Sequence, residues 1–220
     1  MESTETLKPP ETLPLEIDPE HQRIYESIQA GTMTVEELSR LLDADGLIEG
    51  LNIKGFERRL NAYLEEGIGG ALIAVDLDYF KAFNDSEGHP AGDDLLRLAG
   101  RILHDQTRTS EAEAEFKERR QNRREELDLL ARGGDEFLVF LVEAGQSDSI
   151  DAAKRIRAAI ESESKKAFPN YNRPQTMSLG LSVAKEGDNV LSLRSRADEA
   201  LYEAKKGRGS VDIRDSIAVK

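Results

Sequence analysis

The sequence predicts an α+β sandwich: a central, mostly antiparallel sheet flanked by helices. Three observations predict it. A continuous apolar run, residues 71–75, leads straight into Asp76, as a strand buried on both faces does. Two largely apolar runs, 127–131 and 137–142, flank Gly133-Gly134-Asp135, which reads as a β-hairpin with an acidic tip. Helical patterns alternate with these strands in the order β-α-β-β-α-β, that of a ferredoxin-like α/β sandwich.

Taken in order, residues 1–17 carry Pro9, Pro10 and Pro14 among polar residues and read as a disordered tail. Asp18-Pro19-Glu20 is a helix start, with Asp at the N-cap and Pro at N1, and Gly31 is its stop. Thr34 and Glu37 form a capping box that opens a second short helix through Leu42. Residues 18–44 are too few for a core of their own and read as an appendage. Phe56, Leu60 and Leu64, spaced by four, predict a helix to about Glu66. After the strand to Asp76, Leu95, Leu96, Ala99 and Leu103 place one apolar face on a helix over 91–103. Residues 107–126 hold six basic and six acidic side chains, which cancel, so this insertion reads as a solvated, ion-paired helix. Beyond the hairpin the pattern predicts a helix over 149–163, a strand over 176–184, a helix over 190–205 and an edge strand at 211–213.

Composition bounds the rest. With 220 residues, the chain suits one domain plus a modest appendage. The absence of cysteine excludes disulfides and thiolate metal sites and makes a cytoplasmic setting the default. A net charge of −13 argues against nucleic acid and anionic membranes as partners, and no apolar run reaches 18 residues. Met1 to Ile17 has no signal-peptide pattern.

The two acidic elements carry the chemistry. Asp76 lies where a buried strand ends, and an unpartnered buried carboxylate is costly, so it calls for a cation or hydrogen-bond donors. Asp78, two places on, shares its face if the strand extends that far; capping the next helix is the alternative. Asp135 and Glu136 leave the hairpin turn as hard oxygen donors suited to Mg²⁺, and Gly133 and Gly134 let a ligand approach the backbone.

Four ordered blocks then resemble the GGDEF family of diguanylate cyclases. Asp76-Leu-Asp-Tyr-Phe-Lys-Ala-Phe-Asn-Asp85 is similar to D-x-D-x-F-K-x-x-N-D, and Gly88-His-Pro-Ala-Gly-Asp93 to G-H-x-x-G-D. Gly133-Gly-Asp-Glu-Phe137 is the eponymous motif, and Ala197-Asp-Glu-Ala-Leu-Tyr-Glu-Ala-Lys205 resembles A-D-x-A-L-Y-x-A-K. The resemblance covers roughly residues 45–215, leaving 216–220 as a tail, and implies a palm-type nucleotidyl cyclase fold. It implies condensation of two GTP into cyclic di-GMP with release of two pyrophosphates, each 3′-hydroxyl attacking the other nucleotide's α-phosphate. One domain holds half of that reaction site, so a homodimer is expected. Mg²⁺ (or Mn²⁺) would be held by Asp76, the Leu77 carbonyl, Asp135 and Glu136, with Asp135 and Glu136 as the catalytic pair. Asn84 and Asp93 would read guanine, while Lys81, Lys205 and Arg208 would contact phosphates and Gly133 and Gly134 would line the nucleotide. His89 reads as a structural hydrogen-bonder rather than a base.

The chain also departs from the family pattern. Its opening block, Asp45-Gly-Leu-Ile-Glu-Gly-Leu-Asn-Ile-Lys54, keeps Asp45 and Asn52 but has Ile48, Glu49 and Ile53 where D-x-L-T-G-L-x-N-R-R has other residues. The loop after Lys205 is one residue short, which weakens the case for Arg208. The R-x-x-D product site is not matched: one register gives Arg124 and Leu127, the other Glu125 and Asp128. No product inhibition of the usual type is expected. No sensor domain of ordinary size fits before residue 45, so a separate regulatory protein is a possible partner. The competing reading is a GTP-binding or partner-binding module without turnover, favoured by Ile48-Glu49 and the short loop.

Overall fold

The computed structural model describes residues 26–28, 30–31, 34–107, 128–206 and 214–215. The expected tail 1–17, the helix start at Asp18, the charged insertion beyond Thr107, the strand at 211–213, Arg208 and the tail 216–220 lie outside them. The chain divides into two compact units, Met1–Leu41 and Leu42–Lys220. In the first, the capping box is formed: the Glu37 N–H donates to Thr34 Oγ1 at 3.1 Å, and the Thr34 N–H donates to Glu37 Oε2 at 2.8 Å. It opens helix α1, Val35–Asp43. Gly31, at φ +64°, takes the left-handed conformation expected of a helix stop.

The second unit contains a six-stranded sheet. Its strands are β1 Leu51–Asn52, β2 Gly70–Leu77, β3 Leu129–Gly133, β4 Glu136–Val142, β5 Met177–Val183 and β6 Arg214–Asp215, in the spatial order β1-β3-β4-β2-β5-β6. The central strands β3, β4, β2 and β5 are antiparallel to their neighbours, while the two-residue strands β1 and β6 add parallel edges. The sequence pattern missed β1, which is too short to show a period; the strand expected at 211–213 falls outside the described residues, and β6 is described at Arg214–Asp215. The helices are α2 Ile53–Glu65, α3 Phe80–Glu87, α4 His89–Thr107, α5 Gln146–Ala167 and α6 Val190–Lys206. None among the described residues is long and apolar enough to cross a membrane.

Strand β2 explains why its sequence is apolar without alternation. Ile73, Val75 and Leu77 face one core, with Leu95, Leu103, Ile156 and Ile160 from α4 and α5. Leu72 and Ala74 face the other, with Phe56 and Leu60 from α2 and Leu193 and Leu201 from α6. Both faces are dry, so successive residues of β2 are all apolar. Each of the larger side chains (Leu, Ile, Val, Phe) stabilises the fold by about 1.5–3 kcal/mol on burial. The polar positions begin only at Asp76, where the strand reaches the rim. The helix α6 packs on β5 without a spacer: a Cβ on Gly180 would lie 2.1 Å from the Leu201 nitrogen.

A candidate nucleotide site at the rim of the sheet

Sheet register brings the two acidic elements together. Asp76 on β2 pairs with Glu136 on β4 and with Ser178 on β5. Gly134 and Asp135 form the two-residue turn between β3 and β4. Gly134 has φ +74° and Asp135 no positive φ, the pattern of a type II′ hairpin turn, which favours glycine at its first central residue. The turn folds back on β2, where the Leu77 N–H donates to the Asp135 carbonyl at 3.5 Å.

The two acids of the D-x-D block part company. Asp76 is half-buried and its carboxylate accepts from Lys205 Nζ at 2.7 Å, with that lysine reaching back from the last turn of α6. Burial pushes the Asp76 carboxyl above its ordinary range; Lys205 opposes the shift, and the nearby charges of Asp135 and Glu136 add to it. The strand ends at Leu77, so Asp78 does not continue it. Nor does Asp78 cap the next helix, whose N-cap is Tyr79 with no side-chain cap bond. Its carboxylate instead accepts from Thr176 Oγ1 and Ser178 Oγ, both at 2.6 Å.

The next two motif blocks form adjoining helices. Tyr79, at φ +58°, turns the chain into α3, which carries Lys81 exposed and Asn84 half-buried. Gly88, at φ +86°, ends α3, and α4 begins at His89 with Asp93 exposed in its early turns. His89 is itself exposed, and no hydrogen bond of its ring is found among the described residues. The two helices meet where Asn84 lies against Gly92: a Cβ there would sit 1.8 Å from Asn84 Oδ1. That oxygen is buried and has no hydrogen-bond partner among the described residues. A buried acceptor left in this way calls for a donor.

The off-pattern opening block is repacked rather than lost. Ile48 is buried in the core and sits on Gly100 of α4, where a Cβ would lie 2.8 Å from its Cγ2. Asp45 receives the Arg132 guanidinium on both oxygens, at 3.0 and 2.9 Å, and Arg132 Nη1 donates to the Gly134 carbonyl at 3.0 Å. Asn52 caps α2 by accepting from the Gly55 N–H and donates to the carbonyls of Leu42 and Ala44. Within this unit, Asp45 is thereby tied to the hairpin turn through Arg132. Of the product-site residues only Asp128 is described, and it accepts from the Val142 N–H at 2.8 Å.

The oxygen-only donor set of Asp76, the Leu77 carbonyl, Asp135 and Glu136 suits a hard divalent cation. Among the described residues no three acids already converge as ligands, and Lys205 Nζ occupies Oδ2 of Asp76. The like charges that push on Asp76 are the reason such a cation would be favoured.

The residues that the sequence reading missed are Thr176, Ser178, Arg132, Gly92 and Gly100. Thr176 and Ser178 alternate at the start of a strand expected from 176, a detectable pattern, but its register against β2 is set by packing.

Comparison with known proteins places the sequence and its fold in a family. A family model described as "Diguanylate cyclase, GGDEF domain" matches residues 51–120 and 114–210. Diguanylate cyclase DosC of Escherichia coli K12 is 30% identical over 159 residues, 72% of this chain and 31% of that protein. Response regulator PleD of Caulobacter vibrioides is 34% identical over 145 residues, 64% of this chain and 28% of that protein. The chain thus spans about three-tenths of the length of these curated relatives. Among solved structures, the GGDEF domain of DgcB from Caulobacter crescentus, in complex with c-di-GMP, superposes with a TM-score of 0.64 at 26% identity, covering 79% of this chain and 95% of that one. Diguanylate cyclase SiaD of Pseudomonas aeruginosa, in complex with its activator SiaC, gives 0.61 at 25% identity over 86% of this chain and 68% of that one.

Proposed function

The chain belongs to the GGDEF-domain family of diguanylate cyclases, and from that premise we propose that it condenses two GTP molecules into cyclic di-GMP and two pyrophosphates, as a homodimer and with Mg²⁺ or Mn²⁺. The observation that carries this reading is the register that sets Asp76 opposite Glu136, beside the Gly134-Asp135 turn. When bound, the cation would supply Lewis-acid neutralisation of charge on the transferring phosphoryl group. Asp76, the Leu77 carbonyl, Asp135 and Glu136 would hold it.

The remaining steps belong to the chain's own groups. Glu136, exposed at the start of β4, would accept the proton of an attacking 3′-hydroxyl. Lys205, released from Asp76, would turn to the leaving phosphates, and Lys81 on α3 would join it. The unpartnered Asn84 Oδ1 would accept from a guanine N–H, with Asp93 accepting at the same edge. Adenine lacks the N1–H, so an acceptor placed for it stays unpaired at a cost of ~1–3 kcal/mol.

Each domain offers one nucleotide, so the 3′-hydroxyl must come from the site of a second copy. A separate regulatory protein that brings two copies together is the partner we propose, by analogy with the SiaD–SiaC pair. With Asp128 on the Val142 N–H and no R-x-x-D pair in either register just before the hairpin, we propose that cyclic di-GMP does not inhibit in the family's usual manner.

Mass analysis of products from the full chain with GTP and Mg²⁺, at low and high protein concentration, tests the reading. Cyclic di-GMP rising more than linearly with protein, and absent in Asp135→Ala, is the expected result. GTP binding without product would move the chain to a nucleotide-binding module.

A further inference from the structure

We propose that Arg173, on the segment between α5 and β5, is a positioning residue for the nucleotide site, acting through Tyr79 on the pose of α3. The inference rests on the reading of this rim as a GTP site. Tyr79 adopts φ +58°, a region sparsely populated by residues with bulky side chains, so its conformation needs support from its surroundings. That conformation sets the direction in which α3 leaves β2, and α3 carries Lys81 and Asn84.

Three sets of contacts hold this turn, and the partners all come from residues 168–178, which contain none of the four motif blocks. Before the turn, Asp78 is held by Thr176 and Ser178. After it, Phe83 is met edge-on by Phe168 and Tyr171, with ring centroids at 5.0 and 4.8 Å. At the turn itself, Arg173 Cζ lies 3.9 Å from the Tyr79 ring centroid. The first two contacts are interior and serve the fold as well. The third is between exposed side chains, with Tyr79 46% exposed, where such a pair adds little to global stability. Its effect is therefore local: it fixes the turn on which the phosphate-side and base-side groups of α3 depend.

The test uses the full chain with GTP and Mg²⁺. Arg173→Met, which keeps the stem and loses the cation, is expected to raise KM for GTP roughly fivefold, with kcat within about twofold and the melting temperature unchanged. Arg173→Lys restores most of the loss, since an ammonium also sits favourably on the ring face. Lys154→Met, a remote exposed site with the same change in net charge, leaves KM as it was. Combined with Lys81→Met, Arg173→Met adds less than it does alone, because it acts through the turn that aims Lys81. Equal effects of Arg173→Met and Lys154→Met would assign the change to the overall field and overturn the proposal. So would additivity with Lys81→Met, or an Arg173→Met chain with unchanged KM beside a wild type that binds GTP. A wild type that neither binds nor converts GTP would instead remove the reading of the site, and this inference with it.

Discussion

Asp76 and Asp78 stand two residues apart in one motif, and their surroundings differ in kind. Asp78 accepts two short hydroxyl bonds from β5, both partners being fixed on or beside a strand. Asp76 has a lysine at the end of a helix, like-charged neighbours in Asp135 and Glu136, and a carboxyl raised by burial. The first arrangement satisfies its acid; the second leaves an acid whose ionised form is disfavoured in the folded chain. Carboxylates of the second sort occur where a protein keeps charge available for a ligand, at some cost in stability. The difference teaches that a D-x-D spacing can join one acid satisfied by hydroxyl donors and one left among like charges.

The comparison breaks most directly at Asp76. Asp76→Asn is expected to reduce cyclic di-GMP formation by more than about 100-fold, since a cation contributes several kcal/mol to such a transition state. The sign for stability is the reverse. A carboxyl whose folded pKa is raised disfavours folding once it ionises, so removing its charge leaves stability equal or higher. Urea denaturation beside a product assay checks both; a variant that is inactive because it is unfolded would sink the distinction. Asp78→Ala is expected to show the opposite balance. It strands the hydroxyls of Thr176 and Ser178 and should cost about 2–3 kcal/mol of unfolding free energy. Its nucleotide affinity should fall only as far as the Tyr79 turn loosens.

The strands and helices of the main unit were legible because burial on two faces and on one face leaves different periods. The run 71–75 showed β2, and Leu95, Leu96, Ala99 and Leu103 showed the buried face of α4. Asp76, Asp135 and Glu136 were legible as a set because acids at the ends of apolar runs are unusual. What stayed hidden depended on sequence-distant partners. Asp78 read as sharing the face of Asp76 or as a helix cap because its hydroxyl partners lie 98 and 100 residues away. Lys205 read as a phosphate contact, while its partner in this structure is Asp76, 129 residues distant. Ile48 looked like damage to the opening motif until Gly100 appeared beneath it. Gly92 carried no reading of its own within its motif block, and its close approach to Asn84 needed both helices in place.

A third aspartate sharpens the comparison by pH. Asp188 is bound by Arg196 at 2.6 Å, and that guanidinium, helped by the Lys185 N–H and the Ser192 hydroxyl, holds its carboxyl down to about 2 from 3.8. A lowered folded pKa means stability present above the unfolded value and lost as pH falls through the folded one. Arg196→Met is therefore expected to cost on the order of 2 kcal/mol at pH 7. The gap to wild type should narrow as pH falls from about 4 towards about 2. Denaturant titrations at pH 7 and pH 3 read this directly, and a gap that stays constant would show that Arg196 acts by packing instead.

The smallest expected effect divides the two hydroxyl bonds of Asp78. Thr176→Val keeps the shape and β-branching of the side chain and removes one donor, so it should cost about 1 kcal/mol. Ser178 still donates to the carboxylate, which keeps Asp78 in place and limits the loss. If Thr176→Val instead cost as much as Asp78→Ala, the two bonds would act as one unit. The Asp78 environment would then be cooperative, whereas that of Asp76 is a single exchangeable ion pair. An effect near zero would place the weight on Ser178, which stands opposite Asp76 in the sheet register, and would tie the two environments to one residue of β5.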